Sequence, residues 1–244
     1  MTKDSCIFEE ILLSMAPVQF STFLNQISSK PLHVLDSNIP IQNYTPLNLS
    51  KTNLEPKTVN TSSSKDLETY IFGYIKSNNA KVAFGGYNEV RNIYQRSVHF
   101  NQSNPETERN IHLGMDLWIE ARSPVFTPLD ATVHSFKNNT NDGDYGPTII
   151  LEHRIEGVKF HTLYGHLSLE SITQLNVGQT FKQGEQIATL GDANVNGDYP
   201  PHLHFQIIRD IEDYKGDYPG VCSKKDLTFY LNNCPDPNGL LKLG

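Results

Sequence analysis

Five short apolar segments constrain the fold most. Between about residue 108 and 210 the chain reads "PVFTPLDATVHSF", "GPTIILEHRI", "VKFHTLYGHL", "FKQGEQIATL" and "HLHFQII", separated by turn signals and without a helical period long enough to organise the stretch. Strands at this spacing predict a mainly β chain, with an antiparallel sheet folded as a β-sandwich or barrel-like layer pair. At 244 residues the chain can bury a full core, as one large domain or one domain with a substantial extension.

The last of these strands carries an unusual pair. In "PHLHFQI", residues 201–207, side chains two apart project from one face, so His202 and His204 point the same way. Leu203, Phe205 and Ile207 then face an apolar core, and the pattern is one of a buried face and a chemical face. An isolated His-x-His is more often a solvated strand face than a site, so the pair needs partners.

Charge and composition limit those partners. A net charge of −7, from 27 acidic and 20 basic residues, lacks the electrostatic footprint of a nucleic-acid binder. No apolar run approaches the roughly 18 residues of a membrane span. The start "MTKDSCIFEEILLSMAPVQF" has no basic n-region or long h-region, and "CIFEEILLSM" reads as an amphipathic helix. That predicts a cytoplasmic protein, or an exported one if the N-terminus is truncated. Cys6, Cys222 and Cys234 are scattered and odd in number, which excludes a disulfide framework or a cysteine metal site and predicts free buried thiols, with pairing of Cys222 and Cys234 in an oxidising compartment as the alternative.

Composition divides the chain into three parts. Residues 1–66 combine the N-terminal helix with "LDSNIPIQNYTPLNLSKTNLEPKTVNTSSSKDLE", an Asn/Ser/Thr/Pro-rich stretch read as a linker or wrapping segment. Residues 67–107 read as a β-rich extension. Its aromatics Tyr70, Phe72, Tyr74, Phe84, Tyr87 and Tyr94 predict extra strands packed on the main sheet as part of a groove wall. Residues 108–244 hold the motif-bearing domain and a C-terminal tail.

Partners for the histidine pair lie in "NIHLGMDL", where His112 precedes Asp116 by four with Gly114 between, a place for the backbone to bend close to an ion. A catalytic zinc site takes three nitrogen or oxygen ligands and keeps a position open. His112, Asp116 and one of His202 and His204 supply such a set. "FHTLYGHLS" adds His166 beside Gly165, with His161 nearby.

In order, "HLGMD", "YGHLS" and "PHLHF", with "GQTFKQGEQIATLGD" between the last two and "SPVFTPLDATVHSF" after the first, resemble the lysostaphin/LytM-type zinc metallopeptidases, peptidase family twenty-three, of duplicated hybrid motif fold. The resemblance covers about 100 of the 244 residues. It implies one Zn²⁺ per chain held by His112, Asp116 and His204, with His166 and His202 as catalytic histidines. It further implies hydrolysis of an amide in a peptidoglycan cross-link or related short peptide. Zinc lowers the pKa of bound water to roughly 7, and neighbouring imidazoles move protons, so no covalent nucleophile is required. The chain departs from the family at Tyr199, Pro200 and Pro201, where small residues are common, and at Gln206, where Glu is frequent; these reshape one groove wall. "GGYNE", "DYGPTIILEH" and "CPDPNGLL" resemble a subgroup sometimes fused to aminotransferase-like enzymes, for which the usual peptidoglycan substrate does not follow; an intracellular hydrolase of a non-peptidoglycan metabolite, with association with a metabolic enzyme left open, is the alternative reading.

Other residues read more plainly. His134 and His153 suit surface or core roles, Trp118 packs beneath Asp116, and Glu120, Asp130 and Glu152 suit strand ends. A carboxylate supporting a histidine ligand is expected somewhere, and Asn88 is placed over the metal by analogy with pro-segments of some relatives. Two further readings are a metal-free regulatory or binding module, whose hallmark is lost ligands, and a phosphocarrier, which has no need of Asp116.

Overall fold

In a computed structural model, residues 15–53, 59–96, 104, 106–141 and 143–244 are described. The expected helix over "CIFEEILLSM" and Cys6 lie almost wholly outside them. The first helix here is α1 (Pro17–Ile27), whose Phe20 and Leu24 are buried. Strand β1 (Tyr44–Pro46) and helix α2 (Ser64–Ser77) follow, then β2 (Val82–Gly85), β3 (Glu89–Val90), β4 (Arg109–His112), β5 (Met115–Trp118), β6 (Pro124–Phe126), β7 (Ala131–Asn139), β8 (Gly146–Ile155) and β9 (Val158–Gly165). A short α3 (Glu170–Thr173), β10 (Thr180–Phe181), β11 (Gln186–Thr189), β12 (His202–Ile208), β13 (Val221–Ser223), α4 (Leu227–Asn233) and α5 (Asn238–Leu241) complete the chain.

Eight strands form one sheet in the order β1-β2-β5-β12-β9-β8-β7-β10. Its pairs are antiparallel except β1 with β2, which run parallel. The sheet stays open instead of closing into a barrel. Among the described residues a three-stranded sheet, β13-β4-β3, and the pair β11-β6 make up the other sheets. Among the described residues no helix is long and apolar enough to cross a membrane.

Period-two alternation places the core. Leu203, Phe205 and Ile207 of β12 join Leu117, Ile149, Leu151, Phe160 and Tyr164 on one face, under α1 and α5. Each such side chain contributes roughly 1.5–3 kcal/mol by leaving water. The other face of β12 is also fully buried. The chemical face is therefore buried, and the plainer reading of the pair as a solvated strand face does not hold.

The stretch 64–77 corrects the β reading of residues 67–107. Tyr70, Phe72 and Tyr74 alternate like a strand, but Leu67, Ile71 and Ile75 recur every four residues and are the buried ones. The Ser63 hydroxyl caps the helix by accepting from the Asp66 amide, and Asp66 and Lys76 sit at the dipole ends they favour. The buried stripe packs on Leu47, Ala83 and Trp118. The polar stretch before it is likewise more than a linker, since β1 adds an edge to the main sheet.

His153 supplies a pH test of this core. It is wholly buried, its Nδ1–H donates to the Asp130 carbonyl at 2.9 Å, and its Nε2 lies 2.7 Å from the Thr162 hydroxyl. Burial pushes its pKa down to about 4. The folded state thus keeps it neutral while the unfolded chain binds a proton below about 6.5, so stability is full above that pH and is lost as pH falls toward 4. The difference corresponds to about 3 kcal/mol. Denaturant unfolding from pH 7 to 4 is expected to show a flatter loss of stability in His153→Leu than in the parent; equal slopes would contradict the assignment.

Candidate metal centre and cleft

The ligand triad arises from strand register. His112 ends β4, the chain reverses through Leu113–Gly114, and Asp116 enters β5 directly opposite His204 of β12. Directly opposed residues on one face approach closely. Gly114 serves this geometry differently from the expected bend toward an ion: a Cβ there would lie 2.6 Å from His204 Cε1 and Nε2, so the missing side chain makes room for the imidazole.

His112 Nε2, Asp116 Oδ1 and His204 Nδ1 form a small triangle, with sides of 2.9 Å between the nitrogens and 3.2 Å from each nitrogen to the oxygen. All three residues are buried, and together they can hold a metal ion. For ligands about 2.0–2.1 Å from a tetrahedral ion, neighbouring ligand atoms stand about 3.3 Å apart. The triangle fits that spacing.

The protons make the fit more specific. His112 Nδ1–H donates to the Gly86 carbonyl at 3.0 Å, and His204 Nε2–H donates to Gln206 Oε1 at 2.9 Å. The Gln206 amide is itself oriented, because its Nε2 donates to the Pro219 carbonyl and to Cys234 Sγ. Asp116 Oδ2 accepts from Arg91 Nη1 at 2.6 Å. Each ligand therefore spends its other polar atom elsewhere and turns a lone pair inward, so that three acceptors converge with no proton between them. Burial above all pushes the His112 pKa down to about 4, against the pull of Asp116. Burial alone would raise the Asp116 pKa, but His112 and Arg91 outweigh it and hold the carboxyl well below its usual range. Facing lone pairs in a buried site repel unless a cation joins them.

Two more imidazoles share the cavity, which measures about 340 Å³. His202 Nδ1–H donates to the Pro200 carbonyl at 2.7 Å, leaving Nε2 3.7 Å from Asp116 Oδ1, and its ring stacks on Trp118. His166 Nδ1–H donates to the Asn196 carbonyl at 2.7 Å, and its ring centroid lies 4.2 Å from that of His202. The His166 backbone is left-handed, with φ 61°, a strained state for a residue other than glycine. It is locked by bonds from its amide to the Tyr145 carbonyl and from the Gly191 amide to its own. Burial lowers the pKa of both imidazoles, with His202 and His204 adding to the effect on His166.

Tyr199 and Pro200 both line the cavity. Pro200, where this chain departs from the family pattern, carries the carbonyl that orients His202, and Asn196 shortly before it carries the one that orients His166. Leu49, Leu67, Ile93 and Tyr94 also line it.

Several expectations change. Asn88 is exposed and its amide bonds to the His112 carbonyl; Arg91, three residues on, is the side chain that enters the site. The expected carboxylate behind a histidine ligand is replaced by the Gly86 carbonyl and the Gln206 amide. His161 is buried on the same sheet face, 3.8 Å from Glu152, but does not line the cavity. Cys222 and Cys234 are free and buried. Gln206 was legible in principle, since it continues the 202, 204 alternation; Arg91 carried no spacing signal.

Residues 110–216 match Peptidase family M23. A Haemophilus influenzae protein described as an uncharacterized metalloprotease is 34% identical over 107 residues, 43% of this chain and 20% of that protein, so the chain spans only a fifth of its relative's length. Among solved structures, a zinc-containing peptidase from Vibrio cholerae is 27% identical over 44% of this chain and 30% of its own, with a TM-score of 0.34. The catalytic domain of lysostaphin, an antimicrobial peptidase from Staphylococcus simulans, is 23% identical over 50% and 80%, with a TM-score of 0.35.

Proposed function

We propose that the chain, whose residues 110–216 match Peptidase family M23, is a zinc-dependent metallopeptidase that hydrolyses an amide bond in a short peptide, a peptidoglycan cross-link being the leading substrate class. The observation that carries this reading is the convergence of three ligand atoms beside two further buried imidazoles in one cavity. Two imidazole nitrogens and one carboxylate oxygen are donors that zinc accepts readily, and three protein ligands are the number found in catalytic zinc sites. Bound there, zinc supplies a Lewis acid that polarises a carbonyl and acidifies water.

The protein's own groups account for the proton movements. His166 and His202 have their Nδ1 protons committed to backbone carbonyls, so Nε2 is the one basic atom each presents. Burial keeps both neutral and ready to accept a proton at physiological pH. One takes a proton from the attacking water as the C–O bond forms, and a protonated imidazole then delivers it to the leaving amine as the C–N bond breaks. The other, also neutral, can accept a hydrogen bond at Nε2 and so hold the water or the substrate amide in place. The cavity volume suits a few residues of an extended peptide.

Incubation of the zinc-loaded chain with cross-linked peptidoglycan and with small acyl-amino substrates is expected to release new amines from the first, to stop on chelation and to resume with zinc. Release from acyl-amino substrates alone would move the assignment to a non-peptidoglycan amide. No release from either, in a protein that holds metal, would favour a binding module.

A further inference from the structure

We propose that Arg91 is a positioning residue for the metal ligand Asp116, supplied from outside the family-matched segment; the inference rests on the metal-site reading above. The guanidinium is wedged among fixed groups. Its Nη1 donates to Asp116 Oδ2 at 2.6 Å, its Nε donates to Glu89 Oε2 at 2.5 Å, and its Cζ lies 5.6 Å from the centre of the Trp118 ring. The side chain is 4% exposed. Glu89 is anchored in turn, because its Oε1 accepts the Leu49 amide at 3.0 Å. The Arg91 amide donates to the Asn110 carbonyl, which ties the residue to β4 two positions before His112.

Gly86 joins the two halves of this arrangement. Its carbonyl orients His112, and a Cβ on it would overlap Arg91 Nη2 and stand 2.9 Å from His112 Nδ1. Its φ of 104° is one that residues with a side chain rarely adopt. The short segment 86–91 therefore sets the outward-facing contact of two of the three ligands. By occupying Oδ2, Arg91 stops the carboxylate from rotating or offering both oxygens, and it presents Oδ1 alone to the His112–His204 pair. A planar fork held at two nitrogens does this; a lysine supplies charge without the fork. A plain structural ion pair would change stability and leave metal affinity alone.

The test compares zinc affinity, measured by chelator competition, and the visible spectrum of the cobalt-substituted protein among the full-length parent, Arg91→Met, Arg91→Lys and Glu89→Gln. Arg91→Met is expected to bind zinc about 10–100-fold more weakly and to shift the cobalt bands, as loss of a group orienting a ligand does. Arg91→Lys should recover part of the affinity, and Glu89→Gln should weaken it less. A folded Arg91→Met protein with parental zinc affinity and spectrum would overturn the inference. Should that variant not fold, an unchanged affinity and spectrum in Glu89→Gln would overturn it equally. A parent chain that takes up no zinc would instead overturn the functional reading, and this inference with it.

Discussion

Replacing His202 with Ala, or His166 with Asn, is expected to cut turnover on the order of 100-fold or more while zinc stays bound. That is the size of effect a positioned acid, base or oxyanion group has. Neither imidazole belongs to the triangle of ligand atoms: His202 Nε2 stands 3.7 Å from Asp116 Oδ1, against 3.2 Å for the two ligand nitrogens. Asn is chosen at 166 because it tolerates the left-handed backbone there, whereas Ala would add strain. Steady-state kinetics with metal analysis on the same preparations separates the roles. Loss of zinc in both variants would make these residues ligands.

Asp116→Ala is expected to be the most destabilising single change at the site. In the metal-free protein it leaves the buried Arg91 guanidinium with one fewer carboxylate, and breaking a buried pair from one side costs about 3–5 kcal/mol. Asp116 and Arg91 are both almost wholly buried, so solvent cannot compensate. Urea unfolding without metal should show most of that loss, and the double variant Asp116→Ala/Arg91→Met should recover part of it by removing the stranded charge. Unchanged stability in Asp116→Ala would mean that the pair carries little energy.

The parts of this account legible in the sequence are those set by local periodicity. The alternation in "HLHFQII" gives β12 its two faces, and the short segments between turn signals become β6 to β11. The structure brings His112, Asp116 and His204 together, and places His166 and His202 in the same cavity. Helix α2 was hidden because its aromatic residues alternate while its buried aliphatic residues repeat every four, and burial decides between the two patterns. β1 was hidden because a three-residue edge strand leaves almost no pattern; its register is imposed by β2. Arg91 was hidden for another reason. It reaches Asp116, 25 positions further on, through tertiary packing, and nothing in "YNEVRN" distinguishes it from a surface arginine. The lining beside the histidine face likewise comes from distant segments, around Leu49, Leu67, Tyr94 and Tyr218.

The most direct test of the central claim is the zinc content of the full-length protein beside His204→Ala and His202→Ala, each purified in the same buffer. The account predicts one zinc per parent chain, none retained by His204→Ala, and full occupancy in His202→Ala. Zinc retained by His204→Ala and lost from His202→Ala would contradict it.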